Sequence, residues 1–256
     1  MEHYTSFLTL PQAKRSMCLI AWSWRRHSNY PLVVLANRDE RHARACTPAH
    51  WWNVAPPVLA GRDLEAGGTW LGLDRRGRLA ALTNRRGEKP PGAPSRGGLP
   101  ITFLQGAHDV PRALAWLEAR AHRYAGFNLL LFDGEQLGFG SNRKPARLLA
   151  PGTYAMANST LDEPIPKVDK PRDLLHAWAR TNAEPEPERW LEMLADASRL
   201  QDSAASALFV RGDEYGTRAS TIVIFDTAGG VQFIERGFAA GGQELDTLRF
   251  EFERAS

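Results

Sequence analysis

Cys18 follows Met17 and precedes the apolar run Leu19-Ile20-Ala21-Trp22. In a chain that begins at Cys18, that one residue carries both a thiol and a free α-amine. The amine titrates near ~7.7–8.0 and the thiol near ~8.5. A single residue then supplies nucleophile and general base together, the requirement for acyl transfer to sulfur. The plain alternative is a small buried hydrophobe on a strand. A second polar group, Asn37-Arg38-Asp39-Glu40, ends the apolar run Leu32-Val33-Val34-Leu35-Ala36. An arginine beside a cysteine favours the thiolate, and a carboxylate there can hold an α-ammonium or take its proton. Strand alternation sends Arg38 and Glu40 to one face and Asn37 and Asp39 to the other. A solvated turn is the ordinary meaning of such a run.

Charge adds a third clue. Residues 1–100 hold 15 Lys/Arg against 7 Asp/Glu, and the remainder 17 against 22. The basic half is mostly arginine, with Arg75, Arg76, Arg78, Arg85, Arg86 and Arg96 close together. Arginine presents a planar fork suited to carboxylates and phosphates. No nucleic-acid motif accompanies it, so an anionic small ligand is the functional reading and a solvated surface the plain one. Seven histidines show no metal-ligand spacing, and no phosphate-loop or dinucleotide fingerprint is present. Gly67-Gly68 suits a tight turn or a close backbone approach to a ligand.

These residues must be positioned by short elements. Cys18–Trp24 and Pro31–Ala36 read as a hairpin, as do Thr69–Leu73 and Leu79–Thr83. Pro56–Ala60 is a further short apolar run. Residues 85–98 are rich in Arg, Gly and Pro and read as a long irregular loop. Helical spacing appears over Val110–His122, with Asp109 as its N-cap and Pro111 in the first turn. Strand signals return at Phe127–Phe132, Gln136–Gly140 and Thr153–Ala157. Helices follow at Pro171–Arg180 and Glu188–Leu194, then strands at Thr221–Phe225 and Val231–Glu235. Gly241-Gly242 reads as a linker to a short helix, Glu244–Glu253. Regular βαβ alternation is absent, which argues against a doubly wound parallel sheet. Two stacked antiparallel sheets with helices outside bury their central strands on both sides, as the unbroken run Thr221–Phe225 requires.

The chain also resembles a known family. The segments that carry the resemblance are Met17-Cys18, Asn37-Arg38-Asp39-Glu40, Gly67-Gly68-Thr69-Trp70-Leu71-Gly72, Thr83-Asn84-Arg85, Ser95-Arg96-Gly97, Gly126-Phe127-Asn128-Leu129-Leu130, Asn158-Ser159 and Tyr215-Gly216-Thr217-Arg218. Together, in this order, they are similar to the NRDE family, also called the transport and Golgi organisation protein 2 family, over roughly residues 17–236. That family is in turn similar to N-terminal nucleophile (Ntn) hydrolases of the bile-salt hydrolase and penicillin V acylase type. The resemblance implies an α+β fold, a four-layer αββα sandwich of two antiparallel sheets flanked by helices. It places the nucleophile on Cys18, an oxyanion donor on Asn84, orienting groups on Asp39 and Asn158, and substrate-positioning arginines on Arg38 and Arg218. Those acylases carry Arg-Asn-x-Asp where this chain has Asn-Arg-Asp-Glu. Either Arg38 and Asp39 fill the inherited roles, or Asn37 and Glu40 stand in the equivalent positions.

Two functions follow from the resemblance. One is hydrolysis of an amide or thioester bond by Cys18. The other is a non-catalytic pocket for an amphipathic anion, acyl-coenzyme A or haem, lined by Asn37, Glu40, Trp70, Arg85 and Arg96. No cofactor is required in the first, and haem is a bound ligand in the second. Composition adds a cytoplasmic expectation, since two cysteines make no disulfide framework, and no apolar run reaches the ~20 residues of a membrane span. Residues 1–16 do not read as a secretory signal and are expected to be a propeptide-like or non-native extension. Residues 17–256 are then a single domain.

Overall fold

The computed structural model describes residues 17–85, 87–198 and 207–255, so the reading of residues 1–16 lies outside the described residues. The apolar run after Cys18 is β1 (Leu19–Trp24), paired antiparallel with β2 (Leu32–Arg41) from Leu19↔Asn37 to Trp24↔Leu32. Around this hairpin a six-stranded antiparallel sheet assembles. Its order is β10 (Gly152–Met156), β1, β2, β11 (Tyr215–Phe225), β12 (Gly230–Phe238), β13 (Glu244–Glu253). A second, seven-stranded antiparallel sheet runs β3 (Cys46–Trp52), β4 (Val58–Asp63), β5 (Leu71–Asp74), β6 (Leu79–Asn84), β7 (Phe127–Phe132), β8 (Leu137–Ser141), β9 (Arg147–Leu148). Four α-helices complete the described chain: α1 (Gly98–Gln105), α2 (Val110–Glu118), α3 (Pro166–Trp178) and α4 (Pro187–Leu194). None is long and apolar enough to cross a bilayer.

Three apolar cores show how the layers stack. Ile20, Trp22, Val34 and Val223 of the first sheet meet Leu71, Leu79, Leu130 and Phe132 of the second. The opposite face of the first sheet, through Leu19, Val33, Leu35 and Ile222, meets Val168 and Leu175 of α3 and Leu191 and Leu194 of α4. The outer face of the second sheet, through Ala80, Leu129 and Leu131, meets Leu99 and Phe103 of α1 and Leu114 and Leu117 of α2. Helices, sheet, sheet and helices therefore form an α+β sandwich. The central strands are apolar on both faces because both faces are covered, as β1 and β7 show with every residue buried.

Three expectations are corrected. Glu244–Glu253 is β13, not a helix. Leu248, Phe250 and Phe252 alternate with Arg249 and Glu251, and Phe250 and Phe252 pack on the inter-sheet core. The loop at 85–98 ends in α1, which Gly98 and Pro100 open in a sequence that carries no helical signal. α3 starts at Pro166, with Pro171 inside it instead of at its start. β3 gave no signal because it is half-exposed and its pairing with β4 shifts register between Thr47 and His50.

Candidate functional site

The site is built where β1 begins and β2 ends. Ile20 and Trp22 face the inter-sheet core, so Cys18 opens to the same side, two residues earlier. Val34 and Ala36 face that core as well, so Arg38 and Glu40 continue their row out of the apolar interior. A cleft of about 920 Å³ lies there. It is lined by Cys18, Arg38, Asp39, Glu40, Trp70, Asn84, Arg96, Asn158 and Arg218, residues drawn from distant stretches of the sequence. Asn37 and Arg85 do not line it.

Asn37 is corrected first. It belongs with Val33 and Leu35 on the helix-facing side, where its Nδ2 donates to the carbonyls of Leu194 (2.8 Å) and Leu208 (3.0 Å). Its Oδ1 accepts from Ser220 Oγ at 2.7 Å. It holds the C-terminal end of α4 against the sheet. Arg85 also stands outside the lining, with a buried Nη1 that has no hydrogen-bond partner among the described residues. Its backbone extends the β6–β7 ladder, with N–H donating to Gly126 O at 2.8 Å, and burial and Arg143 lower its pKa.

Asp39 shares Asn37's side of the sheet. Its Oδ2 accepts from Lys167 Nζ at 2.6 Å and its Oδ1 from Thr217 Oγ1 at 2.7 Å. What it presents to the thiol is its carbonyl. Cys18 Sγ donates to Asp39 O at 3.5 Å and the Tyr215 hydroxyl donates to the same oxygen at 3.0 Å. The Cys18 thiol is pushed up to about 11, first by burial and then by the negative charge of Asp39. The charges of Arg38 and Lys167 act in the opposite direction.

Arg38 has capacity to spare. Its Nη2 stands 3.9 Å from Glu40 Oε2, too long for a hydrogen bond, and its Nη1 is buried with no hydrogen-bond partner among the described residues. Arg218 differs. It is the extra residue of a β-bulge, because Thr217 pairs with Asp39 and Ala219 with Arg38. The bulge takes Arg218 out of the alternation that would have placed it beside Ser220. Its Nη1 then donates to the carbonyls of Arg41, His42 and Arg44 (3.1, 3.2 and 3.1 Å), and its Nη2 reaches Cys46 Sγ at 3.3 Å. Arg218 braces the β2–β3 connection, and this occupies much of its donor fork.

The amide groups come from the second sheet and the segment after β10. Asn84 ends β6. Asn158 follows β10 in a segment held from both sides. Thr83 Oγ1 donates to Ala157 O (2.7 Å), and the buried Asn128 Nδ2 donates to Ser159 O (2.7 Å). So clamped, Asn158 keeps a buried Oδ1 with no partner among the described residues. Gly68 lines the cleft as well. Gly67 has φ +73°, and a Cβ on Gly68 would meet the Gly97 backbone at 2.4 Å. The close approach is therefore to the segment carrying Arg96, whose Nη1 donates to Gly126 O at 2.8 Å.

Residues in or behind the cleft that escaped the sequence reading of chemistry include Cys46, Tyr215 and Glu235 in its lining and Lys167 and Thr217 on the Asp39 carboxylate. Thr217 and Glu235 at least fall within recognised segments; nothing marks a lysine at the start of a helix as buried, and Cys46 reads as a structural thiol. Glu235 lines the cleft on β12 and accepts from the Ala49 N–H of β3 at 2.7 Å, tying the two sheets together. Burial raises its pKa. Between the ordinary carboxyl range and that raised value the unfolded chain binds fewer protons, so stability falls as pH rises through this window. A Glu235→Gln chain, melted between pH 4 and 8, should show a shallower decline than the natural one. Parallel curves would remove Glu235 from the pH dependence.

Comparison with known proteins places this geometry in a family context. The family model for "Transport and Golgi organisation 2" matches residues 17–240. The "Transport and Golgi organization protein 2 homolog" of Bos taurus is 35% identical over 259 residues, covering 89% of this chain and 94% of the relative. The homolog of Homo sapiens is 34% identical, with 81% and 86% covered. The "Transport and Golgi organization protein 2" of Drosophila melanogaster is 28% identical, with 86% and 91% covered.

Proposed function

Because the chain belongs to the Transport and Golgi organisation 2 family, we propose that it is a cysteine hydrolase of the Ntn type, acting on an amide or thioester bond of an anionic amphipathic substrate. The observation that carries this reading is the convergence of Cys18, Arg38, Asn84 and Asn158 on one cleft. With Cys18 at the amino terminus, its sulfur attacks the substrate carbonyl while its α-amine takes the thiol proton. The side-chain amide of Asn84 donates to the oxyanion. Collapse expels the amine or thiol leaving group with that proton. Water then attacks the thioester on Cys18, releasing the acid and restoring the thiol. Arg38, with its unpartnered Nη1, takes the anionic part of the substrate, and Trp70 with Leu82 and Phe238 takes the apolar part. Asp39 acts through its carbonyl, and Arg218 holds the loop that closes one wall.

A chain beginning at Cys18, mixed with acyl amides and acyl-coenzyme A thioesters, should gain the mass of one acyl group on Cys18. It should lose that mass on standing, and Cys18→Ala should gain none. No adduct and no turnover across both substrate classes would sink the hydrolase. One observation favours a second reading. With the thiol pushed up to about 11, the uncut chain holds a weak nucleophile in a cleft lined by Arg38, Arg44, Arg62 and Arg96. Such a pocket suits a carrier of haem or acyl-coenzyme A, whose binding Cys18→Ala would leave intact.

A further inference from the structure

Lys167 lies on α3, on the far side of the first sheet from the cleft, with a side chain only 1% exposed. It reaches the carboxylate of Asp39, itself 0% exposed, at 2.6 Å. The same Asp39 presents its carbonyl to Cys18 Sγ at 3.5 Å and to the Tyr215 hydroxyl at 3.0 Å. Asp39 is therefore a node. Helix α3 and β11 grip its carboxylate from one face of the sheet, and its backbone receives the thiol. We propose that Lys167 is a positioning residue for the Cys18 thiol, acting through Asp39 by fixing the carbonyl that receives the thiol hydrogen and by offsetting the negative charge beside it. The inference rests on Cys18 being the reactive thiol of the proposed function, but its readout does not require turnover.

The charged and titratable groups about the thiol limit the alternatives. From β2 come Arg38, Asp39 and Glu40; from α3, Lys167; from β11, Tyr215 and Arg218; from β12, Glu235. Burial and Asp39 raise the thiol, whereas Arg38 and Lys167 lower it. Lys167 contacts the Asp39 carboxylate directly, and it does not itself line the cleft. A ligand in the cleft therefore leaves its pairing with Asp39 intact.

The test is alkylation of Cys18 by iodoacetamide in the full chain, followed by site-resolved mass spectrometry from pH 7 to 11. Lys167→Met should slow alkylation at pH 9 roughly fivefold or more, because the positive charge that Lys167 sets against Asp39 is gone. Lys167→Arg should restore the rate to within about twofold. Asp39→Asn/Lys167→Met removes the larger raising charge together with the smaller lowering one, so its profile should move to lower pH than the natural chain. That double variant leaves neither member of the pair as a lone buried charge, and it carries the test if Lys167→Met does not fold. A Lys167→Met profile that overlays the natural one, or a double-variant profile that does so, overturns the proposal. Absence of turnover in a chain beginning at Cys18, with these shifts intact, would count against the hydrolase instead.

Discussion

Asp39→Asn alone should lower the unfolding free energy by about 3–5 kcal/mol, whereas Asp39→Asn/Lys167→Met should recover most of that loss. The expectation comes from burial. Lys167 Nζ and Asp39 Oδ2 are 2.6 Å apart, with side chains 1% and 0% exposed. Taking both charges out of water is costly, and the close contact offsets that cost only while both partners are present. Removing the Asp39 carboxylate leaves the Lys167 ammonium buried without its 2.6 Å contact, and removing Lys167 takes the same contact from a buried carboxylate. Removing both leaves two neutral side chains in a site already shielded from water. Surface pairs in the same protein behave differently. The contacts of Arg112 with Asp109 (3.9 Å) and of Arg189 with Glu186 (3.1 Å) are exposed and are worth ~0–1 kcal/mol each, weakening with salt. Urea unfolding of the natural chain, both single variants and the double variant, at low and high salt, closes a double-mutant cycle. The coupling should be large and nearly independent of salt. Four equally stable chains would mean that the pair is hydrated in solution, and the link from α3 to the thiol would go with it.

The sequence made the rows of β2 legible but not their destinations. Residue parity alone separates Arg38 and Glu40 from Asn37 and Asp39, and the register with β1 and β11 keeps that separation. Both faces of β2 are apolar up to Ala36, however, so nothing in the pattern says which face meets a cleft and which meets helices. Parity leaves Asn37 as eligible for a ligand as Arg38, whereas its amide donates to the Leu194 carbonyl at the end of α4 and to the Leu208 carbonyl. Arg218 shows a different limit. Its place depends on a bulge between Thr217 and Ala219, and a register shift leaves no mark in a string of side chains. The error at Glu244–Glu253 arose because Leu245, Leu248 and Phe252 also fit helical spacing. The partner strand β12 decides the matter, and it is not local. Lys167 was invisible because a lysine's burial depends on the carboxylate it meets, 128 positions away in the chain. The two-sheet architecture was legible because it rests on hairpins between neighbouring segments and on a run, Thr221–Phe225, too apolar to face water.

A chain that begins at Cys18 should turn over acyl substrate at least ~10²-fold faster near pH 8 than the full chain, in line with what a positioned general base supplies. In the full chain the Cys18 nitrogen is an amide and cannot take a proton. The thiol then titrates at about 11, leaving roughly one thiolate in three thousand at pH 7.5. Freed, the same nitrogen becomes an amine titrating near ~7.7–8.0, attached to the residue whose proton it must accept. While protonated it adds a positive charge that favours the thiolate, and once neutral it serves as base. The sign of the pH profile follows. The rate of the Cys18-initiated chain should climb through the amine's titration and level off above it, whereas any rate in the full chain should keep rising toward the thiol's own value. Lys167→Met in the Cys18-initiated background should displace the first profile as it displaces alkylation, since Asp39 stands beside the sulfur in both. Cys18→Ser keeps the amine but replaces the sulfur with a weaker nucleophile, and it should lose nearly all turnover. Equal rates with and without residues 1–17, at every pH, would show that the α-amine takes no part and would leave the cleft to the carrier reading.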